Sequence, residues 1–175
     1  MNVYIVRHGQ TNSNLAGVYN LLEEGLNDTG IKQAQILAEK IKDLDYEIIY
    51  CSPLNRAAQT ANIINEKNKK IIFDDRLMER NPGILAGMPW NTVDREKYWN
   101  YYSEEKYDDE ESVKELFERV NSFLEELKNK DYKNVLIVAH SGVSKAFRGY
   151  FNGIPEDGSF LKLGLKNADI IKYEL

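Results

Sequence analysis

Apolar positions along the chain fall into two patterns. Short runs rich in Val, Ile and Tyr cover Asn2–Val6, Glu47–Cys51, Lys70–Phe73, Asn134–Ala139 and Asp169–Glu174, and these predict strands. Asn134–Ala139 is apolar without alternation, as expected of a strand covered on both faces. Other stretches repeat apolar residues every three or four positions and predict helices. From about Thr29 to Asp43 the repeat is Ile31, Ala34, Leu37, Ala38 and Ile41, followed by Leu44, with Asp28 or Thr29 as the expected cap. Asn55–Glu66 places Ala57, Ala58, Ala61 and Ile64 on one side. Ser112 opens the clearest stripe: Val113, Leu116, Phe117, Val120, Phe123, Leu124 and Leu127. A further helix is predicted over about Val143–Phe151. Strands alternating with helices predict an α/β fold with a mostly parallel sheet. No repeat, low-complexity tract or linker divides the chain, so residues 1–175 are expected to form one domain.

Composition narrows the function classes. The hydrophobic fraction is 42% and the charged fraction 29%, which suits a soluble globular chain. The longest apolar runs, such as Val135–Ala139, are too short for a membrane-spanning helix. Met1–Arg7 does not have the form of a signal peptide. A lone Cys51 excludes an intramolecular disulfide and, with two histidines, makes a structural zinc site unexpected. A cytoplasmic address follows as the expectation. The net charge of −5 implies no general attraction to nucleic acid or anionic membrane. An anion would have to be held by a local cluster of cations.

Such a cluster is visible at the predicted strand ends, where ligands bind in parallel α/β sheets. The first strand runs into Arg7-His8-Gly9 and the fourth into His140-Ser141-Gly142. The glycines are expected to let main-chain N–H groups approach a ligand. The second strand ends in Cys51-Ser52-Pro53-Leu54-Asn55-Arg56, at the start of a helix. A cation is disfavoured at a helix N-terminus, so Arg56 there calls for an anion. Arginines, imidazoles and helix N-termini together compose a phosphate pocket.

These motifs resemble those of the histidine phosphatase superfamily, the phosphoglycerate-mutase-like group. Arg7-His8-Gly9-Gln10-Thr11 with Asn14 resembles its signature. Gly25-Leu26-Asn27-Asp28-Thr29-Gly30 with Gln33-Ala34 resembles the start of its first helix, and Ser52-Pro53-Leu54-Asn55-Arg56-Ala57-Ala58-Gln59-Thr60-Ala61 its second motif. Glu79, Gly83 and Gly87 look like its acidic loop, and Ala139–Val143 like its second histidine motif. The resemblance implies a three-layer α/β/α sandwich of the phosphoglycerate-mutase type. It implies His8 as the nucleophile that takes the phosphoryl group. Arg7, Asn14, Arg56 and His140 would hold the phosphate oxygens, and Glu79 would protonate the leaving oxygen. These roles make chemical sense. An imidazole attacks only with one nitrogen unprotonated, and neighbouring guanidinium groups favour that state. Fixed cations stabilise charge spread over the transferring group. No metal or other cofactor is implied, and the expected partner is a small-molecule phosphomonoester. Two positions depart from the family pattern: Ser141 stands where glycine is usual, adding a candidate hydroxyl donor, and Glu110 precedes Glu111-Ser112 where glycine is common.

Rival readings remain at this stage. A cysteine-dependent phosphatase loop has five residues between cysteine and arginine, whereas here there are four and no glycine. A mutase or a non-catalytic phosphate-binding module could share the arginines, although Glu79 with both histidines argues against the latter. The segment 88–112 is expected to form a lid. It carries Arg95, Lys97 and Lys106 against Asp94, Glu96, Glu104, Glu105, Asp108, Asp109, Glu110 and Glu111. An acidic lid should repel a second anion and favour hydrolysis. Trp90, Tyr98, Trp99, Tyr101, Tyr102 and Tyr107 in the same stretch either pack or stack on a ring in the leaving group. With the negative charge, stacking would suit a neutral or cationic heteroaromatic alcohol, as in α-ribazole 5′-phosphate; phosphoserine and a broad monoester range are the other expectations.

Overall fold

The computed structural model describes residues 1–175. Five strands form one sheet: β1 (Asn2–Arg7), β2 (Ile48–Cys51), β3 (Ile71–Phe73), β4 (Asn134–Ala139) and β5 (Ile170–Glu174). Their order across the sheet is β3-β2-β4-β1-β5. All pairings are parallel except β1 with β5. The helices are α1 (Asn12–Ala16), α2 (Asp28–Ile41), α3 (Asn55–Ile64), α4 (Arg95–Tyr98), α5 (Val113–Leu127) and α6 (Ser141–Asn152).

The sheet buries both faces, which makes three layers. On one face Val3, Ile5, Val135 and Ile137 meet the apolar sides of α5 and α6. On the other, Val6, Ile49, Leu136 and Val138 meet α2 and α3. The seven predicted stripe residues of α5 are all buried, each worth about 1.5–3 kcal/mol over exposure as an upper estimate. Ser112 caps α5 reciprocally with Glu115: Ser112 Oγ accepts from Glu115 N at 3.1 Å, and Glu115 Oε2 from Ser112 N at 2.6 Å.

Three details differ from the sequence expectation. Helix α2 is capped by Asn27, whose Oδ1 accepts from Gly30 N at 2.8 Å, rather than by Asp28 or Thr29. Helices α1 and α4 carry no periodic stripe, because five and four residues cannot display one. Tyr98, Tyr101 and Tyr102 are spaced as on one helix face, but α4 ends at Tyr98, so that spacing is not realised.

Strand order is what assembles the site. Because β4 lies between β1 and β2, the strand ends carrying His8, His140 and Ser52 become neighbours. The ladder continues one residue past the strands, with His8 N donating to Ala139 O and Ser52 N to Val138 O, each at 3.0 Å.

Candidate active site

The site opens into a cavity of about 450 Å³ whose wall includes Arg7, Asn14, Arg56, Glu79 and Ser141. His8 and His140 lie buried beside it, 1% and 0% exposed, with ring centroids 5.0 Å apart. The structure thus brings all seven candidates together. His8 Nδ1 lies 2.7 Å from the Gly9 carbonyl oxygen. A carbonyl only accepts, so Nδ1 carries the proton and Nε2 the lone pair. Nε2 has no protein partner and is not among the fully buried unpaired atoms. Burial, then Arg7 and Arg56, holds His8 well below its usual range, against the opposing Gly9 bond. Burial also holds His140 well down, followed by Arg56, His8 and Arg7. Both rings are therefore neutral near pH 7.

The cations are built in at some cost. Arg56 is 2% exposed and donates to Leu21 O at 3.1 Å; Arg7 donates to Leu165 O at 2.8 Å. Burial lowers the proton affinity of both guanidinium groups. Arg7 Nε, Arg56 Nε and His140 Nδ1 are buried with no hydrogen-bond partner in the protein. A lone buried polar group costs about 1–3 kcal/mol, and an anion with several acceptor oxygens is what the two guanidinium N–H donors fit.

Glu79 faces this cup from the loop after β3. Its carboxylate accepts from Gly142 N at 3.0 Å and from Arg80 N at 2.8 Å. The first of these is the N-terminal turn of α6, which favours a negative group. Close approaches within the protein require both site glycines. A Cβ on Gly142 would come within 2.2 Å of Glu79 Oε1, so this glycine makes room for the acid. A Cβ on Gly9 would lie 2.4 Å from Gly30 O, so that glycine seats the loop after β1 on α2.

Sequence reasoning missed several supports. Ser52 Oγ lies 2.7 Å from His140 Nε2. Asn14 Nδ2 donates to Asn20, whose own amide donates to Thr11 and Glu24. Asn167 donates to Asn14 Oδ1 and His8 O. These lie in loops with no periodicity to mark them. Lys145, Arg80, Arg95 and Lys166 also line the cavity. Lys145 had a faint signal, a lone cation among Val143, Ala146 and Phe147 on a helix.

Segment 88–112 departs from its expected electrostatics. None of its eight acidic residues lines the cavity, whereas its Arg95 does. Glu104 and Glu105 pair with Lys114 and Lys97, and Glu111 with Arg119. Glu110 is buried against Arg80, which also lies over the Tyr98 ring at 4.0 Å. That pairing gives the unexpected Glu110 its purpose. Trp90, Tyr98 and Trp99 line the cavity, Tyr101 packs on Phe117, Tyr102 is exposed, and Tyr107 packs beside the cluster of Tyr19, Leu85 and Tyr98. Cys51 is no nucleophile: burial pushes its thiol up to about 12.

The family model for the histidine phosphatase superfamily (branch 1) matches residues 3–175. The chain belongs to this superfamily. The chain is 32% identical over 178 residues to phosphoserine phosphatase 1 of Hydrogenobacter thermophilus, covering 96% of this chain and 83% of that protein. It is 30% identical to the 2,3-bisphosphoglycerate-dependent phosphoglycerate mutase of Thermoplasma acidophilum, covering 95% of this chain and 83% of that one. The crystal structure of the α-ribazole phosphatase of Shigella flexneri superposes with a TM-score of 0.86 at 24% identity, covering 100% of this chain and 91% of that one. That likeness bears on the superfamily fold. The sequence matches support an enzyme of the histidine phosphatase type. No helix is long and apolar enough to cross a membrane.

Proposed function

We propose that the protein hydrolyses small-molecule phosphomonoesters through a phosphohistidine at His8. The observation that carries this is the bond between His8 Nδ1 and the Gly9 carbonyl, which leaves Nε2 as a lone pair beside Arg7 and Arg56. Nε2 attacks phosphorus, the ester P–O bond breaks, and Glu79 gives its proton to the leaving oxygen. Water then attacks phosphorus, giving a proton to Glu79 as the P–N bond breaks; its electron pair returns to Nε2 and phosphate is released. Arg7, Arg56 and Asn14 hold the equatorial oxygens, with Ser141 at the rim. If Ser52 donates to His140 Nε2, then His140 Nδ1–H is a further donor to phosphate. The charge stabilisation falls to these side chains, so chelators should leave the rate unchanged. Segment 88–112 serves as the lid of one 175-residue domain.

The test is His8→Ala. Turnover of an aryl phosphate should vanish, and brief labelling of the wild type should trap an acid-labile phosphoryl adduct that the variant lacks. A normal rate in the variant would overturn the assignment. Mutase-type transfer is the second reading. The cationic lining favours it, because the lid's acids do not guard the cavity. Release of inorganic phosphate without an isomerised phosphoglycerate decides for hydrolysis. Trp90, Tyr98 and Trp99 still offer a stacking surface to a heteroaromatic leaving group such as α-ribazole.

A further inference from the structure

Two buried hydroxyls, one at the end of β2 and one on α3, reach the two site histidines. Ser52 and Thr60 are each 0% exposed. Ser52 Oγ accepts from Leu54 N at 3.3 Å and lies 2.7 Å from His140 Nε2, and no other hydrogen bond reaches it. Both rings are neutral, held so first by burial. If His140 Nε2 carried the ring proton, it would donate to Ser52 Oγ. The hydroxyl's own proton and the Nδ1 lone pair would then both be buried without a partner. With the ring proton on Nδ1, the hydroxyl donates to Nε2 and Nδ1–H alone is left over. Thr60 acts on His8 at one remove. Its Oγ1 accepts from Gly9 N at 3.1 Å and donates to Arg56 O at 2.8 Å. The Gly9 carbonyl in turn accepts from His8 Nδ1 at 2.7 Å. Three hydrogen bonds therefore run head to tail from the His8 ring, through the Gly9 peptide, to the first turn of α3, and each polarises the next.

We propose that Ser52 and Thr60 are positioning residues that fix both site histidines as Nδ1–H tautomers before phosphate binds, and that the one tautomer is put to opposite uses. On His8 the proton is engaged by the main chain and the Nε2 lone pair is free. On His140 the Nε2 lone pair is engaged by Ser52 and the Nδ1 proton is free. One ring is thereby preset as nucleophile and the other as donor, an assignment of roles that rests on the phosphatase reading above. A ring able to take either tautomer would be competent in only a fraction of molecules, and apparent affinity would fall by that fraction. Neither hydroxyl residue lines the cavity, so each acts through the ring it holds.

The chain has two histidines, so long-range proton–nitrogen correlation spectra of the phosphate-free protein resolve both rings. Each ring should show one protonated and one bare nitrogen, with the proton on Nδ1. Ser52→Ala leaves neither nitrogen of His140 with a protein partner. Its two nitrogen signals should converge as the tautomers average, with His8 unchanged. Thr60→Val keeps the shape of the side chain and removes the hydroxyl. It should weaken the His8 Nδ1–H bond and move that proton upfield, with His140 unchanged, and Thr60→Ser should restore it. Calorimetry with inorganic phosphate should show binding weaker by about three- to tenfold in Ser52→Ala, the range of one net hydrogen bond. Ser52→Cys, similar in size and a weaker donor, replaces the alanine variant if that does not fold. A proton on His140 Nε2 in the wild type, a single unchanged His140 tautomer or unchanged phosphate affinity in Ser52→Ala, or an unmoved His8 proton in Thr60→Val overturns the proposal. These readouts need no turnover. A His8→Ala variant with a normal rate would end the phosphatase reading, while the spectra would still decide the tautomers.

Discussion

Acidification through pH 6.5 should destabilise the protein at a rate set by its two histidines. Both rings are fully buried and held well below their usual range, first by burial and then by the arginines. In the unfolded chain each ring takes up a proton as pH falls through about 6.5. In the fold each stays neutral to a much lower pH. The unfolded state therefore binds up to two more protons in this window, and stability falls with pH. The stabilisation is complete above about pH 6.5 and is lost below it, by about 1.4 kcal/mol per pH unit for each ring. Glu110 works in the opposite sense, because burial pushes its carboxyl up. A variant isolates the histidine contribution. Urea unfolding of the wild type and His8→Asn at about pH 7, 6 and 5 should give parallel behaviour at the top of the range. Below it the variant's slope should be shallower by about 1.4 kcal/mol per unit. Equal slopes would mean that His8 is already charged in the native state. The lone pair on Nε2, and with it the nucleophile, would then be gone.

Other perturbations separate function from stability. Arg56→Met should cut kcat/KM on an aryl phosphate by about a hundredfold or more without lowering Tm, since it removes a costly buried charge that makes no ion pair. Gly142→Ala drives a methyl group into Glu79 Oε1 and should lower kcat by about a hundredfold with a folded, stable protein; an unchanged kcat would show that Glu79 is not the acid. Arg80→Met strands the buried Glu110 carboxylate and should cost about 3–5 kcal/mol in urea unfolding, recovered in part by adding Glu110→Gln.

Much of this molecule was legible along the chain. The apolar runs located all five strands and the four longer helices, because burial on one face imposes a local period that sequence alone displays. Arg7, His8, Asn14, Arg56, Glu79, His140 and Ser141 were each marked by their motifs, and the structure brings them to one place. Their convergence was not local information. It depends on β4 inserting between β1 and β2, a choice made by long-range strand pairing and by which faces of α2, α3, α5 and α6 can cover the sheet. Charge was the least readable property. The acids of 88–112 sum to a repulsive lid in sequence, yet in space Glu104, Glu105, Glu110 and Glu111 turn to Lys114, Lys97, Arg80 and Arg119, none of the segment's acids lines the cavity, and Arg95 and Lys145 do. Composition counts charges; only the packed chain decides which are neutralised by neighbours and which are left, at short range and low dielectric, to meet a substrate.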